Sequence, residues 1–370
     1  MKKMIFTAAM MLASAAAMAQ SGTFQIKGNV EGLPDSLVAM IGRKTENIEV
    51  KKKKFVYSKN FDKPQWVYLC DQKVIKSGAF SAIPVFAIPS ETIEMKGNFT
   101  GGIDIKGSKF YQEQDLMNEY KSQAYKDIKA LWKWYSDNVN DSNRDSIEKV
   151  ADERMEPLQK KYAADLLAYA KQHSDQECIA LLIDELDDVK DKETLISLMA
   201  DNVKNGRMKA YYEPIFERAK KRAEMEEKAK VVQASGVEAP DFTLNDINGK
   251  PFSLSSLRGK YVVIDFWGSW CIWCIKGMPK MKEYYEKYKG KFEILGVDCN
   301  DPEAKWKAAV EKHQLPWIHV YNPKGSDVLD KYAVQGFPTK IVIGPDGKIV
   351  KTIVGEDPAF YTLLDEVLGK

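Results

Sequence analysis

The stretch "VVIDFWGSWCIWC", Val262–Cys274, decides how this chain is read. An apolar run of strand length leads through Gly268 and Ser269 into two cysteines spaced C-x-x-C, Cys271 and Cys274. "CIKGMPKMKEYYEKYK" follows with helical character, so a strand is expected to end at about Trp267 and a helix to begin at or near Cys271. Such a pair can be half of a metal site, a structural crosslink or a redox couple. A structural zinc site needs about four ligands. Here there is one C-x-x-C knuckle, and the three histidines, His173, His313 and His319, lack ligand spacing to it, so no metal is expected. A crosslink across so short a loop saves little chain entropy. Reactivity has a physical basis instead. Unpaired N–H groups and the positive end of the helix dipole stabilise a thiolate at a helix N-terminus, and the thiol pKa in C-x-x-C motifs falls from about 8.5 to roughly 3.5–7.5. Cys271 is then the exposed nucleophile. Cys274, deeper on the same side of the helix, resolves the mixed disulfide formed at Cys271.

Outward from this junction, residues 233–370 alternate strand and helix. "FEILGVDCN" reads as a strand, "PEAKWKAAVEKHQ" as a helix and "WIHVYN" as a short strand. "DVLDKYAV" reads as a short helix, "TKIVIGPDGKIVKTIVG" as a hairpin and "PAFYTLLDEVLG" as a last helix. That order implies an α/β domain with helices flanking a sheet. Residues 20–108 read as a small all-β domain, a sandwich or barrel. "FQIKGNV", "SLVAMIG", "KFVYSKNF", "QWVYLC" and "ETIEMKGNF" are short segments rich in β-branched and aromatic residues between turn formers. Residues 109–232 form a helical middle region. One stripe runs through Leu116, Tyr120, Ala124, Ile128, Leu131 and Tyr135, and a second from Ile147 to Leu166 contains Pro157. Ser174 with Glu177 predicts a capping box that opens a third helix.

Composition fits a soluble globular protein, at 44% apolar and 29% charged residues. The 55 basic and 53 acidic residues nearly balance, which gives no argument for nucleic acid or an anionic membrane. Residues 1–19 read as a cleavable signal peptide: Lys2 and Lys3, an apolar stretch from Met4 to about Leu12, then Ala17-Met18-Ala19. No cysteine follows that cut to carry a lipid, and no later stretch is long and apolar enough to span a bilayer, so a periplasmic protein without stable membrane insertion is expected. Five cysteines, an odd number spread over 370 residues, make no disulfide framework, and Cys70, Cys178 and Cys299 are expected to be buried as small apolar side chains.

The W-C-x-x-C junction resembles that of the thioredoxin superfamily. The lead-in "APDFTLNDINGKPFSLSSLRGK" and the extra strand and helix after the motif resemble the TlpA/ResA branch of exported bacterial thiol–disulfide oxidoreductases. The resemblance covers about Val237 to Leu368 and implies a thioredoxin-like fold there, with no cofactor beyond the cysteines. It gives Cys271 the nucleophile role and Cys274 the resolving role. "QGFPTKIVI" resembles the family's cis-proline loop, which makes Pro338 the cis-proline and Phe337 the residue whose backbone holds an extended substrate peptide. Asp265 stands where thioredoxins place a buried acid behind the second cysteine; burial raises its pKa and lets it accept the Cys274 proton. Trp267 is expected in the core, and Trp270 and Trp273 at a substrate-binding rim. Two departures stand out. Many TlpA/ResA-like sequences carry a glutamate three residues after the second cysteine, where this chain has Gly277, and Ile272-Trp273 between the cysteines replaces the proline or histidine of familiar relatives. Peroxiredoxins share parts of the lead-in but need a Thr or Ser three residues before the reactive cysteine in a proline-led loop; Gly268 stands there, so peroxidase activity is not expected.

The resulting expectation is an exported dithiol–disulfide oxidoreductase. It reduces disulfide-bearing exported proteins and is recharged by a membrane electron donor. The alternatives are an oxidase or isomerase of exported thiol proteins, or a binding or assembly protein with a vestigial redox module. The first 230 residues are assigned to substrate docking or to a homodimer contact.

Overall fold

The computed structural model describes residues 21–77, 81–140 and 142–369, so residues 1–19 lie outside the described part. The chain divides into two compact units, one ending at Ala219 and one beginning at Lys220.

The first unit opens with β1 (Gly22–Glu31), β2 (Leu37–Ile41), β3 (Lys44–Asn47), β4 (Lys54–Phe61), β5 (Gln65–Asp71), α1 (Gln72–Lys76), β6 (Ala82–Ala87), β7 (Thr92–Asn98) and β8 (Gly102–Lys106). They form two four-stranded sheets, ordered β4-β1-β7-β8 and β3-β2-β5-β6. Alternate residues of β1 and β4 (Phe24, Ile26, Phe55, Tyr57) and much of β5 and β6 (Val67, Leu69, Val85, Phe86) turn into one core, the period-two burial of a half-buried sheet. β6 (Ala82–Ala87) and β8 (Gly102–Lys106) are not among the strands expected from the sequence. Pro84 argues against a central strand, and the fold accommodates it because β6 is an edge.

The helices of this unit are α2 (Lys109–Ala124), α3 (Lys126–Asn138), α4 (Arg144–Gln172), a buried 3-10 stretch (Glu177–Asp184), α5 (Val189–Leu198), α6 (Asp201–Lys204) and α7 (Lys209–Val232), the last of which runs past Ala219. Two expectations are corrected here. The single stripe from Leu116 to Tyr135 breaks at Tyr125 into α2 and α3, and Leu116 is 61% exposed. The buried face of α2 is instead Phe110, Tyr111, Glu113 and Met117. Phe110 stacks on Phe86, and the Tyr111 hydroxyl donates to the Phe86 carbonyl at 2.9 Å. The Ser174–Glu177 capping box is also absent. Gln176 occupies the cap of a 3-10 stretch, without a side-chain cap bond. Glu177 is engaged elsewhere, accepting from Arg207 Nε and Nη2 at 3.0 and 2.7 Å, and Cys178–Ile183 are buried all round. Pro157 sits within an unbroken α4.

The second unit carries β9 (Thr243–Asp246), β10 (Pro251–Ser253), β11 (Tyr261–Trp267), α8 (Ile272–Lys287), β12 (Phe292–Asp298), α9 (Glu303–Lys312), β13 (Ile318–Tyr321), α10 (Val328–Lys331), β14 (Thr339–Ile343), β15 (Ile349–Val354) and α11 (Ala359–Leu368). Its seven-stranded sheet runs β10-β9-β13-β12-β11-β14-β15. β11 is parallel to β12 and β12 to β13; β14 is antiparallel to β11. Both faces are covered. Val263, Trp267, Ile294 and Val342 join the core on the α8 side, and Val262, Ile264, Phe266 and Leu295 the core on the other. This two-sided burial explains why β11 reads as an uninterrupted apolar run rather than an alternation. It is the thioredoxin-like α/β fold that the sequence implied.

Candidate active site

β11 ends at Trp267 and α8 begins at Ile272, so Gly268–Cys271 form the elbow between them. Side chains pin the elbow to the segment after β12. Asp301 accepts from the Ser269 amide at 2.6 Å and from its hydroxyl at 2.7 Å, and Trp270 Nε1 donates to the Cys299 carbonyl at 2.9 Å. Gly268 is needed for this approach, because a Cβ there would stand 2.8 Å from the Cys299 carbonyl oxygen.

Cys271 is the N-cap of α8, with extended φ/ψ of −87° and 101°, and its Sγ accepts from the Cys274 amide at 3.1 Å. The first turn of α8 holds no acid to oppose a negative sulfur. The two cysteines form a disulfide of 2.05 Å. One expectation is corrected: Cys271 is not open while Cys274 is deep. Their exposures are 5% and 4%, and both belong to the core on the α8 side.

The Phe337–Pro338 peptide is cis. The Phe337 ring meets Trp270 edge-on at 5.4 Å, which brings the proline loop and the elbow together. Trp270, Ile272 and Trp273 are exposed, and Lys276 Nζ lies 4.5 Å from the centre of the Trp273 ring. Trp267 is fully buried.

Asp265 shares a face of β11 with Val263 and Trp267, the face turned to the core that holds both cysteines. Its Oδ1 has no hydrogen-bond partner among the described residues. Burial pushes its pKa up to about 6; the Lys340 charge pulls the other way and Glu356 adds to the rise. Lys340 is its register partner on β14, and Lys340 Nζ pairs with Glu356 Oε2 at 2.8 Å. Glu356 Oε1 accepts from the Tyr361 hydroxyl at 2.9 Å. Gly277, where many relatives carry a glutamate, lies against this carboxylate, and any Cβ there would overlap it. Sequence reading missed Lys340, Glu356 and Tyr361. The available signal was a lysine in "TKIVI", a strand otherwise too apolar for one.

Further buried groups are also shifted from their ordinary values. Burial and the neighbouring Asp301 push Asp298 up to about 8. Burial lowers His319 to about 4, and neither of its ring nitrogens has a partner among the described residues. Cys70, Cys178 and Cys299 are free and buried, and burial raises the pKa of each. Among the described residues no group of three or more His, Cys, Asp or Glu is placed to hold a metal ion.

Residues 235–352 match the AhpC/TSA family. Among curated proteins, the thiol-disulfide oxidoreductase ResA of Bacillus cereus is 42% identical over 122 residues, which are 33% of this chain and 70% of that protein. The chain belongs to the ResA-like thiol–disulfide oxidoreductases. The ResA of Bacillus subtilis is 36% identical over 123 residues, 33% of this chain and 68% of its own. Among solved structures, the thioredoxin domain of a thiol-disulfide oxidoreductase from Bacteroides vulgatus is 36% identical and covers 36% of this chain and 98% of its own, with a TM-score of 0.35. Membership makes the chain a thiol–disulfide oxidoreductase whose Cys271–Cys274 pair stands at the disulfide distance. The match to the ResA proteins spans a third of the chain.

Proposed function

We propose that this oxidoreductase acts outside the cytoplasm as a reductant of disulfides in exported proteins. The observation that carries the reading is Cys271 at the N-cap of α8, its sulfur held by an amide N–H at the positive end of a 16-residue helix. In the reduced enzyme the Cys271 thiolate attacks one sulfur of the client disulfide. The other client sulfur leaves with the bonding pair and takes up a proton. Cys274 then gives its proton to Asp265 and attacks Cys271 Sγ, and the second client sulfur leaves as a thiolate. Two electrons have passed to the client and the enzyme holds the Cys271–Cys274 disulfide. A membrane electron donor returns it to the dithiol. The backbone at Phe337–Pro338, with Trp270 and Trp273, holds an extended client segment beside the sulfurs, as exposed aromatics commonly do at recognition surfaces.

Residues 1–19 are assigned to export and cleavage in the periplasm. The β-rich and helical regions, 20–108 and 109–232, are assigned to docking of the client or to a homodimer contact. Replacing Cys274 by Ser and recovering adducts from the native compartment tests the reading. Exported proteins bound through Cys271 are expected; no adduct, or only cytoplasmic ones, refutes it. The reduction potential fixes the direction: a value of about −270 mV supports a reductant, and one of about −120 mV an oxidant.

A further inference from the structure

We propose that the ion pair of buried Lys340 with partly exposed Glu356 is the positioning and charge-setting element of the cysteine site, biasing Asp265 and through it the proton exchange of Cys274. The inference rests on the reading above in which Asp265 serves Cys274.

Three elements converge. β14 supplies Lys340, two residues past the cis-proline; the segment after β15 supplies Glu356; α8 supplies a bare backbone at Gly277, three residues after Cys274. The missing side chain at Gly277 is what admits the Glu356 carboxylate to the surface of α8, since a Cβ would occupy its place. Glu356 is then fixed at both oxygens, by Lys340 Nζ at 2.8 Å and by the Tyr361 hydroxyl at 2.9 Å. Lys340 is 1% exposed and stands in register with Asp265, which is 4% exposed.

Stability does not explain this arrangement. A buried ion pair is often no better than apolar side chains of the same volume, and the neighbours of Lys340 on β14 are Thr339, Ile341, Val342 and Ile343. The cost is incurred beside the reactive pair. With Asp265 protonated the three groups sum to zero charge; once Asp265 takes the Cys274 proton they return to that neutral state. Lys340 favours the ionised, weakly basic Asp265, and Glu356 offsets it. The other titratable groups near this cluster are Cys271 and Cys274 from α8, Cys299 from the end of β12 and Tyr361 from α11, with Lys280 stacked over the Tyr361 ring at 4.2 Å. None of these replaces the Lys340 cation or the Glu356 anion in acting on Asp265.

The test uses the full-length reduced protein and a symmetric aromatic disulfide, dithiobis-nitrobenzoate. Its second released thiol reports the attack by Cys274, followed against pH. Wild type is expected to lose rate as pH falls through the Asp265 titration. Glu356→Gln leaves Lys340 uncompensated, so this acid limb should move to lower pH; Lys340→Met should move it to higher pH. About one pH unit in each direction is expected for the loss of a neighbouring charge. A merely structural role would slow both variants without opposite shifts. Unmoved limbs, or limbs moved the same way, in variants with native near-ultraviolet circular dichroism overturn the proposal. If Glu356→Gln does not fold, Glu356→Asp, which withdraws the carboxylate from Lys340, is read the same way. Asp265→Asn run alongside separates the two failures. If it keeps the wild-type limb, the role of Asp265 is wrong and both readings fall. If it abolishes the limb while the pair variants leave it in place, only the present inference falls.

Discussion

At the scale of single residues, the chemistry depends on one acid and on two glycines that make room. Asp265 has a folded pKa of about 6 against an ordinary 3.8. The native state therefore binds its proton more tightly than the unfolded chain does, and stability falls as pH rises between those values. At pH 7 the ionised carboxylate costs about 3 kcal/mol, because each tenfold gain in proton affinity is worth about 1.36 kcal/mol. Asp265→Asn is thus expected to raise the melting temperature at pH 7, with the gain vanishing below about pH 4. The same variant should slow resolution by Cys274 on the order of 100-fold, the usual scale for a lost general base. A melting temperature unchanged at pH 7 would contradict the burial argument. Gly268→Ala would force a methyl against the Cys299 carbonyl and break the Trp270 indole bond. A loss of about 1–3 kcal/mol in chemical denaturation is expected, because the clash is with backbone that cannot turn aside.

At the scale of elements, α8 is the reactive device and β11 its mount. The thiolate of reduced Cys271 is stabilised by the first turn of α8, so its titration, followed by thiolate absorbance, should fall within about 3.5–7.5. A midpoint near that of free cysteine, about 8.5, would remove the helix N-terminus from the explanation. The mount is held from the side by Asp301, which binds both the amide and the hydroxyl of Ser269. Asp301→Ala leaves those donors without their acceptor and should lower the rate of disulfide reduction more than it lowers stability, read as turnover against melting temperature. The junction was readable in advance because its signals are local: an apolar run, a glycine, a C-x-x-C pair and a helix-forming tail. The boundary at Tyr125 was not, because a helical stripe carries no mark of where tertiary packing will turn its face.

At the scale of the molecule, the two units have separate cores, and Cys271 and Cys274 belong to that of the second. Within the first unit Arg207 joins Glu91, at 2.6 Å, to Glu177, at 2.7 Å, and so ties the turn before β7 to the helical part. Arg207→Ala would leave two half-buried carboxylates facing each other. A destabilisation of about 2 kcal/mol is expected, below the range for a fully buried pair because Arg207 is about a third exposed. Calorimetry should show only the transition of the first unit moving, while reduction of a small aromatic disulfide at room temperature stays unchanged. A matching loss of that activity would mean that the first unit supports the chemistry itself.

By itself the sequence determined the order of elements in the second unit, the strand–helix elbow and the two sulfurs. These follow from periodicity and from spacing along the chain, and they need no knowledge of what lies opposite. The tertiary structure alone decided that both cysteines are covered, that Pro84 sits on an edge, and that Glu177 serves Arg207 rather than a helix cap. It also decided that Lys340 and Glu356 meet beside Asp265 over a glycine. Lys340 and Asp265 lie on strands far apart in the chain, and only the β11–β14 register sets them face to face. A buried charge is stable solely through the partner folding brings to it, and that partner has no fixed distance in sequence.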